Sequence, residues 1–281
     1  GFINSRLFGK SLISVPFCVY GGVVAADSAS VKALESEARA LAEKLGVGYV
    51  EYRNIEVVDS ERPAKRDLYV TFRKDISSDM DENLLAIPRK QRAVVRKGIK
   101  AGLVSTIDNT SERLYTAYSE SVRNLGTPVF SKRYFDVLLE EFDDAVDIVT
   151  ITSSEGELLS SVMNFYFRNE VLPYYGGGTA AARGKYANDF MYYDVMSRAV
   201  SRGCTIFDYG RSKEGTGSYR FKKHWGFEPQ PLNYEYDLVN AKEIPNISPA
   251  NPKYKLMVDT WQKLPLWLSR RIGPLVAKDL G

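Results

Sequence analysis

From Val171 the chain reads VLPYYGGGTA, and after a helical stretch around Lys185 to Arg202 it resumes as RGCTIFDYGR, closing on Arg211. An apolar run ending in glycines, a helix, a glycine and a second apolar run describe a βαβ crossover, whose strands lie parallel and neighbouring or nearly so. The same grammar occurs once before. PFCVYGGVVA begins at Pro16, a helical stretch covers Ser30 to Lys44, and LGVGYVEYR ends at Arg53. Tyr20-Gly21-Gly22 matches Tyr175-Gly176-Gly177, Gly46 matches Gly203, Glu51 matches Asp208 and Tyr52 matches Tyr209. The offset is 155 residues at the glycines (176 minus 21) and 157 at the tyrosines (209 minus 52). The chain therefore reads as a duplication of an α/β unit.

Working outward, the two copies are unequal. Before the second Tyr-Gly-Gly, from about Leu103, come helices around Ser111–Leu125 and Lys132–Phe142, then strands Asp147–Thr152, Leu158–Phe167 and Glu170–Tyr175. Before the first lie only 19 residues. The first unit is thus expected to lack its opening elements, and the natural protein to extend further at its N-terminus. The division that follows is 1–78 for a partial first unit, 79–102 for a basic connecting helix starting near Pro88, 103–240 for a complete second unit and 241–281 for a tail. Proline suits the first turn of that helix. The tail opens on a Pro/Asn-rich loop, and its amphipathic end is expected to break at Pro265 and at Gly273-Pro274.

Composition excludes several classes. With 281 residues, 44% hydrophobic and 26% charged, the chain has ample material for a core. No apolar run is long enough to span a bilayer, and Gly1–Lys10 does not have the order of a signal peptide. The net charge of +3 favours anionic ligands only where cations cluster. Two isolated cysteines, Cys18 and Cys204, and a single histidine, His224, support neither a disulfide framework nor a zinc site. A cytoplasmic location follows, with Trp267, Arg270 and Arg271 as the residues that would touch the inner face of a membrane.

Three constellations can carry chemistry. Arg89, Arg92, Arg96 and Lys100 share one helical face, either as a solvated stripe or as a contact for phosphates of RNA or a nucleotide. Gly176-Gly177-Gly178-Thr179 follows a strand and precedes a helix, where backbone N–H groups can hold an anion or glycines can let the strand splay. It is neither a P-loop nor GxGxxG. The richest is Asp208-Tyr209-Gly210-Arg211 through Phe221-Lys222-Lys223-His224-Trp225-Gly226-Phe227. It follows a buried strand, and ligands bind beyond the carboxyl ends of parallel strands. Asp208 and Tyr209 are the candidates for proton transfer, and Arg211 and Lys222 for anchoring a phosphate-bearing carrier.

The order of these motifs resembles the FemAB-like proteins of the GNAT superfamily, with a BioF2-like acetyltransferase domain. They are the Ile87-Pro88-Arg89-Lys90 helix with Arg92 and Arg96, the Tyr-Gly-Gly-Gly strand end, Asp-Tyr-Gly-Arg-Ser and Phe221-Lys222 with Trp225-Gly226. The similarity runs from Ser5-Arg6-Leu7-Phe8-Gly9 to the Leu-Gly end and is closest to the subgroup associated with exosortase/PEP-CTERM systems. The resemblance implies an α/β (α+β mixed-sheet) protein of tandem GNAT-like folds, the first incomplete at its N-terminus. It implies that Phe221-Lys222 contacts the diphosphate of a nucleotide-linked substrate, and Arg92 and Arg96 are the residues of its Arg-rich helix; Tyr175, Gly177 and Arg211, at the strand ends, are further candidate substrate contacts. The founding enzymes use aminoacyl-tRNA to extend a peptidoglycan precursor and bear a helical arm of which this chain shows no coiled-coil counterpart.

The expectation is an N-acyltransferase acting on an amine of a cell-envelope or surface-polymer precursor, with no resident cofactor or metal. Its donor is an aminoacyl-tRNA or an acyl thioester. Such transfer needs no covalent nucleophile, only two held reactants, an oxyanion site and one proton acceptor. The alternative is a non-catalytic RNA-binding or scaffold protein of a surface-polysaccharide or protein-sorting system.

Overall fold

The computed structural model describes residues 1–6, 8–66, 68–244 and 252–279. The chain opens with β1 (Phe2–Ser5), β2 (Gly9–Ile13), α1 (Ser28–Leu45), β3 (Tyr49–Asn54), β4 (Ala64–Lys65), β5 (Tyr69–Thr71) and β6 (Arg73–Asp75). Two helices, α2 (Met80–Ala86) and α3 (Arg89–Lys100), lead to β7 (Val104–Ile107), α4 (Glu112–Leu125), α5 (Lys132–Phe142), β8 (Val146–Thr152), β9 (Leu158–Phe167) and β10 (Glu170–Gly178). Then come α6 (Ala187–Ser201), β11 (Ile206–Asp208), β12 (Ser212–Lys213), α7 (Gly217–His224), β13 (Gln230–Pro231), β14 (Asn233–Leu238), α8 (Pro252–Lys263) and α9 (Leu266–Ala277).

Local chemistry sets these limits. The Asp27 side chain accepts from Ser30 N at 2.7 Å to start α1, and Gly46 ends it in the left-handed region. Ser131 Oγ accepts from Tyr134 N to start α5, and Thr216 Oγ1 from Tyr219 N to start α7. Pro88 stands at the N-cap of α3, and α2 fills the residues before it.

The strands form a five-stranded sheet, β1-β2-β3-β14-β4, a six-stranded sheet, β6-β11-β10-β9-β8-β7, and a three-stranded sheet, β12-β5-β13. The two larger sheets exchange strands: β6 pairs with β11, and β14 pairs with β3. The six-stranded sheet is covered on one side by a core containing Val95, Val162, Met191, Val195, Phe207 and Trp225. On the other side, α4 and α5 enclose Leu114, Phe135, Ile148, Met163 and Tyr175.

Both crossovers are present. β2 and β3 are parallel, with Leu12 opposite Val50, and β10 and β11 are parallel, with Val171 opposite Phe207. By register the first strands are offset by 159 residues (171 minus 12) and the second strands by 157 (207 minus 50). The glycine match at 155 is therefore not a match of strand positions. Tyr175 to Gly178 lie inside β10, whereas Tyr20-Gly21-Gly22 lie past the end of β2, where Gly21 forms an isolated bridge with Arg53.

Two further expectations change. The run Gly176-Gly177-Gly178 is strand, not turn. A Cβ on Gly177 would stand 2.6 Å from the Ser121 Cβ and 3.0 Å from Ala117 O of α4, so glycine there serves close helix–sheet packing. The tail helix α9 continues through Gly273-Pro274. Gly273 packs against the backbone of Val129, which a Cβ would approach to 2.8 Å, and Arg270 Nε donates to Ser119 Oγ at 2.9 Å. The Pro/Asn-rich loop before α8, with Leu7 and the final Leu-Gly pair, lies outside the described residues. Among the described residues no helix is long and apolar enough to cross a membrane.

Candidate functional site

β10 and β11 pair at two positions only, Glu170 with Ile206 and Val171 with Phe207. β11 ends at Asp208 while β10 runs on to Gly178, its register against β9 shifting between Pro173 and Tyr175. Past Val171 the edge of β10 that faced β11 has no ladder partner among the described residues. Side chains from the first half of the chain enter at this opening.

Asp208, with no exposed surface, is the centre of the cluster. Its Oδ1 accepts from Thr71 Oγ1 at 2.8 Å and from Gly210 N at 2.7 Å. Its Oδ2 accepts from Tyr20 OH at 2.9 Å and lies 3.6 Å from Arg73 Nε. Tyr20 OH also stands 3.1 Å from Glu170 Oε1, and Arg73 pairs with the other Glu170 oxygen. Burial raises the Asp208 pKa, against the bonds from Gly210, Thr71 and Tyr20. Burial, then the charges of Asp208 and Glu170, push the Tyr20 hydroxyl far above its ordinary range. Its single proton therefore stays on and is directed to a carboxylate, which leaves its oxygen as an acceptor.

Tyr20, Arg73 and Glu170 close the polar end of a cavity of about 460 Å³. Its remaining wall is largely apolar, including Phe17, Val19, Leu138, Phe142, Phe165 and Leu172. The arrangement, a largely apolar pocket with a few convergent polar groups, is that of a small-molecule site.

The residues singled out from sequence fall in different places. Asp208 is in the cluster. Tyr209, just past the end of β11, faces the other way, among Tyr192, Phe207, Phe221, Trp225 and Phe227, with its hydroxyl buried and without a partner among the described residues. Lys222 Nζ is buried and donates to the carbonyls of Gly210 (2.8 Å) and Arg211 (3.2 Å), which ties α7 to the turn after β11. Burial pushes its ammonium down to about 7, with Asp208 pulling it up and Arg211 pushing it down. Arg211 stacks its guanidinium 4.6 Å from the Tyr69 ring centre and donates to Tyr234 OH, while part of the residue reaches solvent. Tyr175 lines the cavity and shares a 2.8 Å hydrogen bond with Tyr134 OH. Gly177 lies against α4, and Arg92 and Arg96 line a separate concavity of about 380 Å³ on α3.

Tyr20, Thr71, Arg73 and Glu170 were not singled out as site residues. Tyr20 carried a signal, as the tyrosine of the first repeat. The other three stand in short strands or at a strand start with nothing local to mark them.

Residues 87–223 match the family model described as the acetyltransferase (GNAT) domain, just under half of the chain. That segment holds α3 through most of α7, including β10, β11 and Asp208. No curated protein matches the chain by sequence. Among solved structures the fold is similar to that of FemX, at 15% identity and a TM-score of 0.63, over 92% of this chain and 85% of that one. It is also similar to L-PGS from Bacillus licheniformis, at 14% identity and a TM-score of 0.56, over 85% of this chain and 80% of that one. The protein is a mixed α/β structure with a GNAT-like fold.

Proposed function

We propose that the chain is an N-acyltransferase that moves an acyl or aminoacyl group onto an amine of a cell-envelope or surface-polymer precursor. The observation that carries this reading is the opening between β10 and β11, with Tyr20, Asp208 and Glu170 converging at the end of the cavity. The GNAT domain match supports it, as does the order of motifs, which resembles that of the FemAB-like proteins.

The amine nitrogen attacks the acyl carbonyl carbon, a C–N bond forms, and the C–O or C–S bond to the donor breaks. The nitrogen's proton passes to the Tyr20 oxygen as Tyr20 gives its own to Asp208 Oδ2. Asp208 then returns a proton, by the same path, to the departing oxygen or sulfur. The raised pKa of Asp208 suits a proton acceptor, and relays of this kind contribute about 10²- to 10⁴-fold.

Two donor classes remain in view, an acyl thioester and an aminoacyl-tRNA. Arg89, Arg92, Arg96 and Lys100 line the α3 concavity, which favours a polyanion there. The same stripe supports the rival reading of a non-catalytic RNA-binding or scaffold protein. The test is transfer of radiolabelled acyl groups from each donor to a panel of amines. With aminoacyl-tRNA as donor, Arg92→Ala with Arg96→Ala should lower the slope of log KM against log salt by about 1.4. Transfer from neither donor, with salt-dependent tRNA binding intact, would replace the enzyme reading by the binding one.

A further inference from the structure

The wall of the cavity is better suited to an apolar substrate body than to a sugar or a phosphate. Phe17, Leu138, Phe142, Phe165 and Leu172 line it, and two rings at its rim, Phe142 and Phe167, are 47% and 73% exposed. Its volume, about 460 Å³, is in the range that buries a small organic group. Exposed aromatic rings around a concave apolar surface mark a place where an apolar partner is received.

The polar end narrows the choice. Arg73 is the one cation among the described lining residues, and its guanidinium is committed to Glu170, with Asp208 3.6 Å away. Tyr20 directs its proton to a carboxylate, so it offers lone pairs to anything beyond it. This end therefore presents acceptors, and an anionic head would meet the Glu170 carboxylate, with the buried Asp208 charge behind Tyr20 and no uncommitted cation among the described lining residues. A head that donates, an amine, fits.

We infer that the acyl acceptor is an amphiphilic amine, with its nitrogen at Tyr20 and an alkyl or aromatic body lying along the Phe/Leu wall. This rests on the acyltransferase reading for the word acceptor; the binding claim itself does not. A commitment to an apolar body also separates it from a purely polar peptide or sugar amine.

Cys18 supplies the readout. It lines the cavity and is exposed, whereas Cys204 is buried, so a small thiol reagent labels Cys18 selectively. Partial burial of the thiol raises its pKa, against the pull of the Arg53 charge. The experiment measures protection of Cys18 from monobromobimane by butylamine, hexylamine and octylamine, and by octanol and octanoate. Protection constants should tighten about fourfold per methylene along the amines. Octanoate should protect at least tenfold more weakly than octylamine. Leu138→Gln should flatten the chain-length ladder, and Glu170→Gln should reduce the preference for octylamine over octanol, with Tm checked for both. Because the amine series is read on the unaltered protein, misfolding of a variant does not rescue or sink the claim. Equal protection by octanoate and octylamine, or no protection by any amine, overturns it. Tight protection by octylamine without acyl transfer from any donor leaves the site and removes the acyltransferase; transfer to polar amines with no chain-length effect does the reverse.

Discussion

The two crossovers share a scaffold and differ in what fills the gap between their strands. In the first, Glu51 stands where Asp208 stands in the second, and its charge is met directly by Arg53 Nε at 2.7 Å. The same guanidinium donates to the carbonyls of Val15 and Cys18, so it closes the gap past β2 with an ion pair and backbone. In the second, the nearest cation to Asp208 is Arg73, whose Nε stands 3.6 Å away and whose guanidinium is shared with Glu170. The loop that Arg53 pins brings Phe17, Val19 and Tyr20 to the wall and polar end of the cavity instead. One copy has become a support and the other a site, and the side chain held by the first completes the second. The two openings thus differ in how their carboxylate is met: Glu51 by a directly bonded guanidinium, Asp208 by one that it shares with Glu170 at longer range.

The comparison breaks first, and most severely, at the site. Asp208→Asn removes the proton acceptor and Tyr20→Phe the relay, and each should lower kcat by about 10²- to 10⁴-fold. Asn keeps acceptor capacity toward Thr71 and Gly210, so the fold should survive; circular dichroism and Tm check this alongside kcat. A Tyr20→Phe enzyme at full rate would end the relay. The mirror-image change is Arg53→Leu, which leaves Glu51 buried without its cation. Breaking a buried pair costs about 3–5 kcal/mol, a Tm drop on the order of 10 °C. A small Tm change would mean that the plug is ornamental and that the loop holds without it.

How much of this was legible follows from the range over which each feature is written. Helices α1, α4, α5 and α6 announce themselves locally, by periodic apolar residues and by caps such as Asp27, Ser131 and Gly126. The crossover grammar is equally local and shows on both copies. The glycine alignment misled by four residues, because β2 ends at Ile13 and an irregular stretch, with Phe17 at a φ of 67°, separates it from Tyr20. Strand alternation was the missed clue at Asp208-Tyr209: neighbours on a strand face opposite ways, so only one of them can meet a given cavity. The cluster itself was out of reach. Tyr20 and Asp208 are 188 residues apart, and Arg73 enters through β6, a strand of three residues whose place depends on the exchange between sheets.

The subtlest prediction concerns Lys222, a buried amine beside the second copy's carboxylate. Arg53 is bonded to its carboxylate, whereas Lys222 bonds two carbonyls and meets Asp208 only through the field. Burial lowers the Lys222 pKa to about 7, so between that value and its ordinary value near 10.5 the unfolded chain binds a proton that the folded protein does not. Stability from this group therefore rises with pH through that window and is lost as pH falls toward 7, at a slope of at most about 1.4 kcal/mol per pH unit. Arg211, which also lowers the value, stays charged throughout, and Asp208 is ionised in the unfolded chain across the window. Lys222→Met abolishes the dependence. Denaturant unfolding of both proteins from about pH 6 to 9 should show the variant's relative stability greatest at the acid end and shrinking as pH rises. A difference that stays flat would mean that the carbonyls of Gly210 and Arg211 hold Lys222 charged across the range, as Arg53 is held in the first copy.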